Sequence, residues 1–118
     1  MGWQVDFYEE EDGSAPVEEF ISELPKTHKA KALAIVRLLE EMGPTLPYPY
    51  SSQVRGKIRE LRTHYGKDNI RILYFGDSKR CFALLHGLVK RTPKLDEDDI
   101  RIAEERMNIH KDRKDRID

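Results

Sequence analysis

Hydrophobic and polar residues alternate at the start of the chain, with Trp3, Val5 and Phe7 on one side and Gln4, Asp6 and Tyr8 on the other. That two-residue period predicts a half-buried β-strand. Asp12-Gly13 reads as a turn and Ser14 as a helix N-cap, followed by Pro16 in the first turn and by Glu18 and Glu19 near the positive helix end. Val17, Phe20, Ile21 and Leu24 supply the i, i+3, i+4, i+7 stripe of a short amphipathic helix. Pro25 interrupts it. A second helix runs to about Met42, with Ala32, Ile35, Val36, Leu39 and Met42 on one face and Gly43-Pro44 as its stop. Pro44, Pro47 and Pro49 make residues 44–52 a stiff loop, neither helix nor interior strand.

Three strand-like runs follow. Residues 57–65 alternate around Ile58, Glu60, Arg62 and His64, while residues 69–75 and 80–89 are rich in β-formers, with turns expected at 66–69 and at Gly76-Asp77-Ser78. Ile70 to Phe75 and Cys81 to His86 are nearly continuous in apolar residues, which predicts central strands. A final helix starts near Leu95-Asp96, where Asp96 to Asp99 suit its N-terminus, and carries a weaker stripe of Ile100, Ala103, Met107 and Ile109. The pattern predicts one α+β domain over residues 1–110: an N-terminal strand and two helices, then a three-stranded antiparallel meander and a C-terminal helix. Residues 111–118 alternate in charge and read as a tail, either a fraying helix end or disordered.

Composition changes this picture in one respect. The 118 residues are 38% hydrophobic and 36% charged, enough apolar material for one core, and the net charge is −1. Split along the chain, residues 1–52 hold 4 Lys/Arg against 10 Asp/Glu, residues 53–94 hold 11 against 3, and residues 95–118 hold 6 against 9. The excess of eight positive charges coincides with the predicted meander, the balance of a surface that meets phosphate or of a solvated basic sheet. The single cysteine, Cys81, excludes an internal disulfide framework and any Cys-pair zinc site, which fits a reducing cytoplasm. The opening residues lack a signal-peptide pattern, and no apolar run approaches membrane length.

Several chemistries find no support in the residues. His28, His64, His86 and His110 are too scattered for a metal-ligand motif, there is no nucleophile elbow, and the glycines form no phosphate-cradling loop. Cys81, inside an apolar strand, reads as a buried inert thiol. What remains is cationic: Arg62, Arg71 and Lys90-Arg91 can converge on one side of the sheet if the strands pair in register. Arg71, within an apolar strand, needs a partner or a ligand, whereas Arg62 shares strand parity with Glu60 and can pair with it. His86 and Lys90 share a parity on one strand and are the leading candidates for proton transfer, with Tyr74 and His64 behind them. Tyr48 and Tyr50 in the proline loop can pack or can stack on bases.

The ordered set Lys-Ile-Arg-Glu-Leu-Arg, Ile-Arg-Ile-Leu-Tyr-Phe and Leu-Leu-His-Gly-Leu-Val-Lys-Arg within residues 57–91, preceded by the aromatic strand and Asp-Gly-Ser-Ala-Pro-Val-Glu-Glu-Phe, resembles the phage-derived Gp49-like and HigB-like branch of the RelE toxin superfamily. The resemblance covers roughly residues 3–108. It implies a RelE-like fold and the toxin of a type II toxin–antitoxin pair: a cytoplasmic endoribonuclease that cleaves mRNA on the translating ribosome, using neither metal nor other cofactor. It implies as partners the mRNA on the ribosome and a cognate antitoxin, of helix-turn-helix type. On that reading the residues of this chain offer Arg62, Arg71, His86, Lys90 and Arg91 as candidate catalytic residues, and Lys57, Arg59 and Tyr74 as candidate RNA contacts. The other reading is a binding module on the same scaffold that cleaves nothing.

Overall fold

The computed structural model describes residues 2–78 and 80–117. Along the chain run β1 (Gln4–Phe7), α1 (Pro16–Ser22), α2 (Lys26–Met42), a single 3₁₀ turn (Gly43–Thr45), β2 (Ser51–Arg55), β3 (Ile58–Tyr65), β4 (Asp68–Ser78), β5 (Cys81–Lys90) and α3 (Glu97–Ile117). The strands form one mixed sheet in the order β1-β5-β4-β3-β2. β2 to β5 pair antiparallel in sequence order, and β1 joins the far edge parallel to β5.

The expected strand plus three-stranded meander is thus corrected to a five-stranded mixed sheet. The missed strand, β2, has the sequence Ser-Ser-Gln-Val-Arg directly after the proline loop. Such a short polar segment has almost no period to read, and it serves as a sheet edge, where polar residues suit the unpaired side. The turn expected at Gly76-Asp77-Ser78 is also displaced, because β4 continues through these residues with a bulge: Gly76 pairs with Phe82 and Ser78 with Cys81. The buried Asp77 carboxylate meets His110 and Lys114 of α3. Ser14 donates to Asp12 rather than capping α1, whose N-cap is Ala15. α3 runs on through residues 111–117, where Arg113 donates to the Glu9 carbonyl; Asp118 lies outside the described residues.

Strand alternation divides the core into two layers. Leu61, Ile70, Ile72, Tyr74, Phe82 and Leu84 face α1 and α2, packing on Val17, Ile21, Ala32, Ile35 and Leu39. Ile58, Leu73, Phe75, Ala83 and Leu85 face the other way, towards Tyr8 and Ala103 of α3. β4 and β5 are covered on both faces, which accounts for their continuous apolar runs. α3 closes its layer with a narrow apolar stripe, so the β3 side of that face stays partly open.

Gly87 of β5 lies under the ring of Phe20, and a Cβ there would overlap it. Gly87→Ala should therefore destabilise the fold by about 1–3 kcal/mol, as overpacking does. Urea unfolding should also show the alanine costing less in a Phe20→Leu background, because the two positions share one volume.

Candidate functional site

The register across β3, β4 and β5 places three rows of side chains on the face turned towards α3. They are Glu60, Leu73 and His86; then Arg62, Arg71 and Leu88; then His64, Asn69 and Lys90. Neighbouring strands lie about 5 Å apart, so charged groups drawn from 30 residues of chain share one patch.

At its centre, one carboxylate serves two guanidinium groups. Arg62 Nη1 donates to Glu60 Oε2 at 3.2 Å, and Arg71 Nε lies 3.2 Å from Glu60 Oε1. The Arg71 and Glu60 side chains are only 5% and 8% exposed, whereas Arg62 is 23% exposed. Arg71 also donates through Nη1 to the carbonyls of Thr63 and Ile70, at 3.3 Å each. The Arg71–Glu60 approach is ionic without hydrogen-bond alignment, which leaves Arg71 Nε and Glu60 Oε1 buried with no hydrogen-bond partner; Arg62 Nε is buried without one as well. Burial first, and the Arg62 charge second, hold the Arg71 pKa below its usual value, while Glu60 opposes the shift. Arginine keeps its proton regardless, so the cluster carries a surplus positive charge.

The cluster opens into a cleft of about 290 Å³ where β3 runs past the end of β2. Arg62, Arg71, His64 and Asn69 line it, with Pro49 and Tyr50 of the proline loop and Lys31 of α2 at its border. Larger hollows of about 440 and 510 Å³ lie against α3, mixing acidic groups such as Asp6, Glu9, Glu10 and Glu18 with Arg113. Neither brings together two arginines around one carboxylate, as the smaller cleft does.

The other predicted residues divide sharply. His86 and Lys90 do share the face of Arg62 and Arg71, but each is held by an acid at the start of α3: His86 Nε2 lies 2.8 Å from Asp99 Oδ1, and Lys90 Nζ lies 2.6 Å from Asp96 Oδ2. Arg91 does not converge with them. It is 75% exposed beyond β5, and its Nε lies 3.3 Å from Asp68, which also pairs with His28. Lys57 is exposed in the β2–β3 turn at the opposite end of β3 from His64. Arg59 has the opposite strand parity from Arg62, and its Nε donates to Ser51 Oγ at 3.0 Å. Tyr74 is a correction: its ring is buried edge-on to Phe82 and its hydroxyl is bonded to Ser51 at 2.7 Å, so no face is left for RNA. Lys31 and Asn69 carried no signal in the sequence, since both enter the cleft only through long-range packing.

Cys81 is buried, and its thiol donates to Asp6 Oδ2 at 3.2 Å. Burial first, then this bond and the Asp6 charge, push the thiol up to about 11. Among the described residues, no three His, Cys, Asp or Glu side chains gather as a metal-holding group, and no helix is long and apolar enough to cross a membrane.

Helices cover both faces of the mixed sheet, and a cationic cleft opens where β3 runs past β2. Residues 19–108 match the family phage derived protein Gp49-like (DUF891), and the chain belongs to that family, within the RelE/HigB-like toxin branch. No curated protein matches the chain.

Two outcomes follow from this geometry. Glu60→Ala should lose about 3–5 kcal/mol in urea unfolding, because it leaves the buried Arg71 and the partly buried Arg62 uncompensated, and Arg71→Met in the same chain should recover much of the loss. Iodoacetamide should modify Cys81 on the order of 100-fold more slowly at pH 8 than the same thiol in urea, since a thiol raised from 9.0 to about 11 has that much less thiolate. Mass spectrometry checks this, and the native rate should climb with pH up to about 11.

Proposed function

We propose that this protein is the toxin of a type II toxin–antitoxin pair and cleaves mRNA on the translating ribosome, with an antitoxin that covers the cationic cleft. The observation that carries the reading is the pair Arg62 and Arg71, two cations that share one carboxylate and so leave a surplus positive charge lining an open cleft. Cleavage by the RNA's own 2′-hydroxyl requires three things: that oxygen loses its proton, the phosphorane's extra charge is stabilised, and the departing 5′-oxygen gains a proton. The two arginines meet the second requirement with fixed charge and planar donors. His86, oriented by Asp99, and Lys90, opposite Asn69, are assigned the proton transfers, with His64 as the histidine that lines the cleft.

The tight pairing of His86 and Lys90 with Asp99 and Asp96 favours a second reading, a module that binds RNA without cutting it. Induced expression in a bacterium, with transcriptome-wide mapping of 5′ ends, separates the two. New 5′ ends within translated frames support the nuclease, and their absence despite RNA binding supports the module. Arg62→Ala should lower cleavage in a translating extract by about 10²-fold or more, while circular dichroism shows a folded chain. His86→Ala and Lys90→Ala should each slow it by at least about tenfold. Wild-type rates in all three variants would remove this site from the mechanism.

A further inference from the structure

We infer that Tyr48 and Tyr50 form a stacking platform for the bases of single-stranded RNA beside the arginine cleft. The inference rests on the ribonuclease reading for the identity of the ligand, and its geometry stands on separate observations. Both rings lie outside the core, Tyr48 71% and Tyr50 46% exposed. Their loop is nevertheless firmly held. The Tyr50 and Ser51 N–H groups both donate to the Pro47 carbonyl, at 2.9 and 3.1 Å, and the Tyr50 carbonyl accepts the Arg62 N–H at 2.8 Å. Ser51, next along, is buried and bonded to Tyr74. The same arginine that faces the cleft also sets one ring, since the Arg62 guanidinium lies 5.4 Å from the centre of the Tyr48 ring.

A rigid loop that presents two aromatic rings to solvent, anchored on a phosphate-seeking arginine, matches the chemistry of a nucleotide. The anion seats against Arg62 and Arg71, and the base meets a flat π-surface within the same reach. A loop held in this way loses little freedom when a base stacks on its rings, and an unpaired base exposes the face that stacking needs. Duplex RNA hides those faces, so the platform selects single strands. An acidic peptide would use the arginines equally well and gain nothing from two exposed rings.

The test uses the full chain and a labelled mixed-sequence ten-nucleotide RNA, 2′-O-methylated so that it cannot be cleaved, with binding read by fluorescence anisotropy. Tyr48→Ala and Tyr50→Ala should each weaken binding by about 5- to 100-fold, the range that loss of one base–aromatic stack gives. Tyr48→Phe and Tyr50→Phe should bind like the parent. An abasic strand of the same length should bind weakly and equally to the parent and to the alanine variants. The platform is overturned if the parent fails to bind the RNA, if the alanine variants bind it as the parent does, or if a poly-glutamate peptide binds instead and loses affinity with the same alanines. Cleavage in the translating extract keeps the two claims apart. Tyrosine-dependent binding without any cleavage removes the nuclease and leaves the platform, whereas unchanged cleavage by both alanine variants removes the platform and leaves the nuclease.

Discussion

One carboxylate between two guanidinium groups is the constraint around which the site is arranged. Arg62 and Arg71 are directly opposed on β3 and β4, and the Arg62 N–H points away to Tyr50, so the pair is of the type without ladder bonds between its members. Such pairs bring side chains closest together. Two cations at that distance on a largely buried face are tolerable only because Glu60, two residues before Arg62, lies in the next row. Burying charge in this way is weak support for stability, since well-packed apolar residues often do as well. The arrangement makes better sense as a held charge, poised beside a cleft and not fully neutralised.

The start of α3 sets a limit to that charge. Asp96, Glu97 and Asp99 reach Lys90, Arg55 and His86, so the acids of one helix turn bind basic residues from the two strands flanking β3 and β4. The acidic C-terminal segment therefore does not simply balance the basic sheet in bulk. It neutralises the flanks and leaves the middle, Arg62 and Arg71, to the cleft. The other two histidine–aspartate pairs, His28 with Asp68 and His110 with Asp77, fasten the other ends of the helical layers to β4 in the same manner.

Much of this was legible in the sequence, and the failures share a cause. The central strands followed from uninterrupted apolar runs, and the common face of His86 and Lys90 held across the bulge because that bulge lies on the other side of His86, between the Leu73–His86 and Tyr74–Leu84 pairs. The partnership of Arg62 with Glu60 was readable from strand parity, as was Arg71's need for a partner. Local pattern could not reveal that Glu60 serves both arginines, because Arg71 meets it across strands. β2 escaped because four polar residues around the single apolar Val54 have no period, and the Gly76-Asp77-Ser78 turn was misplaced because turn-forming residues also suit a bulge. Tyr74 illustrates the limit most clearly, since a tyrosine in a strand is equally at home on a surface or in a core until its hydroxyl finds a Ser51.

The parallel pairing of β1 with β5 has a consequence for the order of assembly. β1 precedes its partner by almost 80 residues, since Gln4 to Phe7 pair with Cys81 to Leu84, so during synthesis the strand waits unpaired until that much further chain has been made. β2 to β5 can zip as successive hairpins, whereas the β1 contact closes a loop of almost 80 residues, the kind of late, entropically demanding step that slows folding. α3 comes later still, and it supplies the acids that restrain His86 and Lys90. A nascent chain would thus carry a basic, partly formed sheet before either its first strand or its acidic cover is in place.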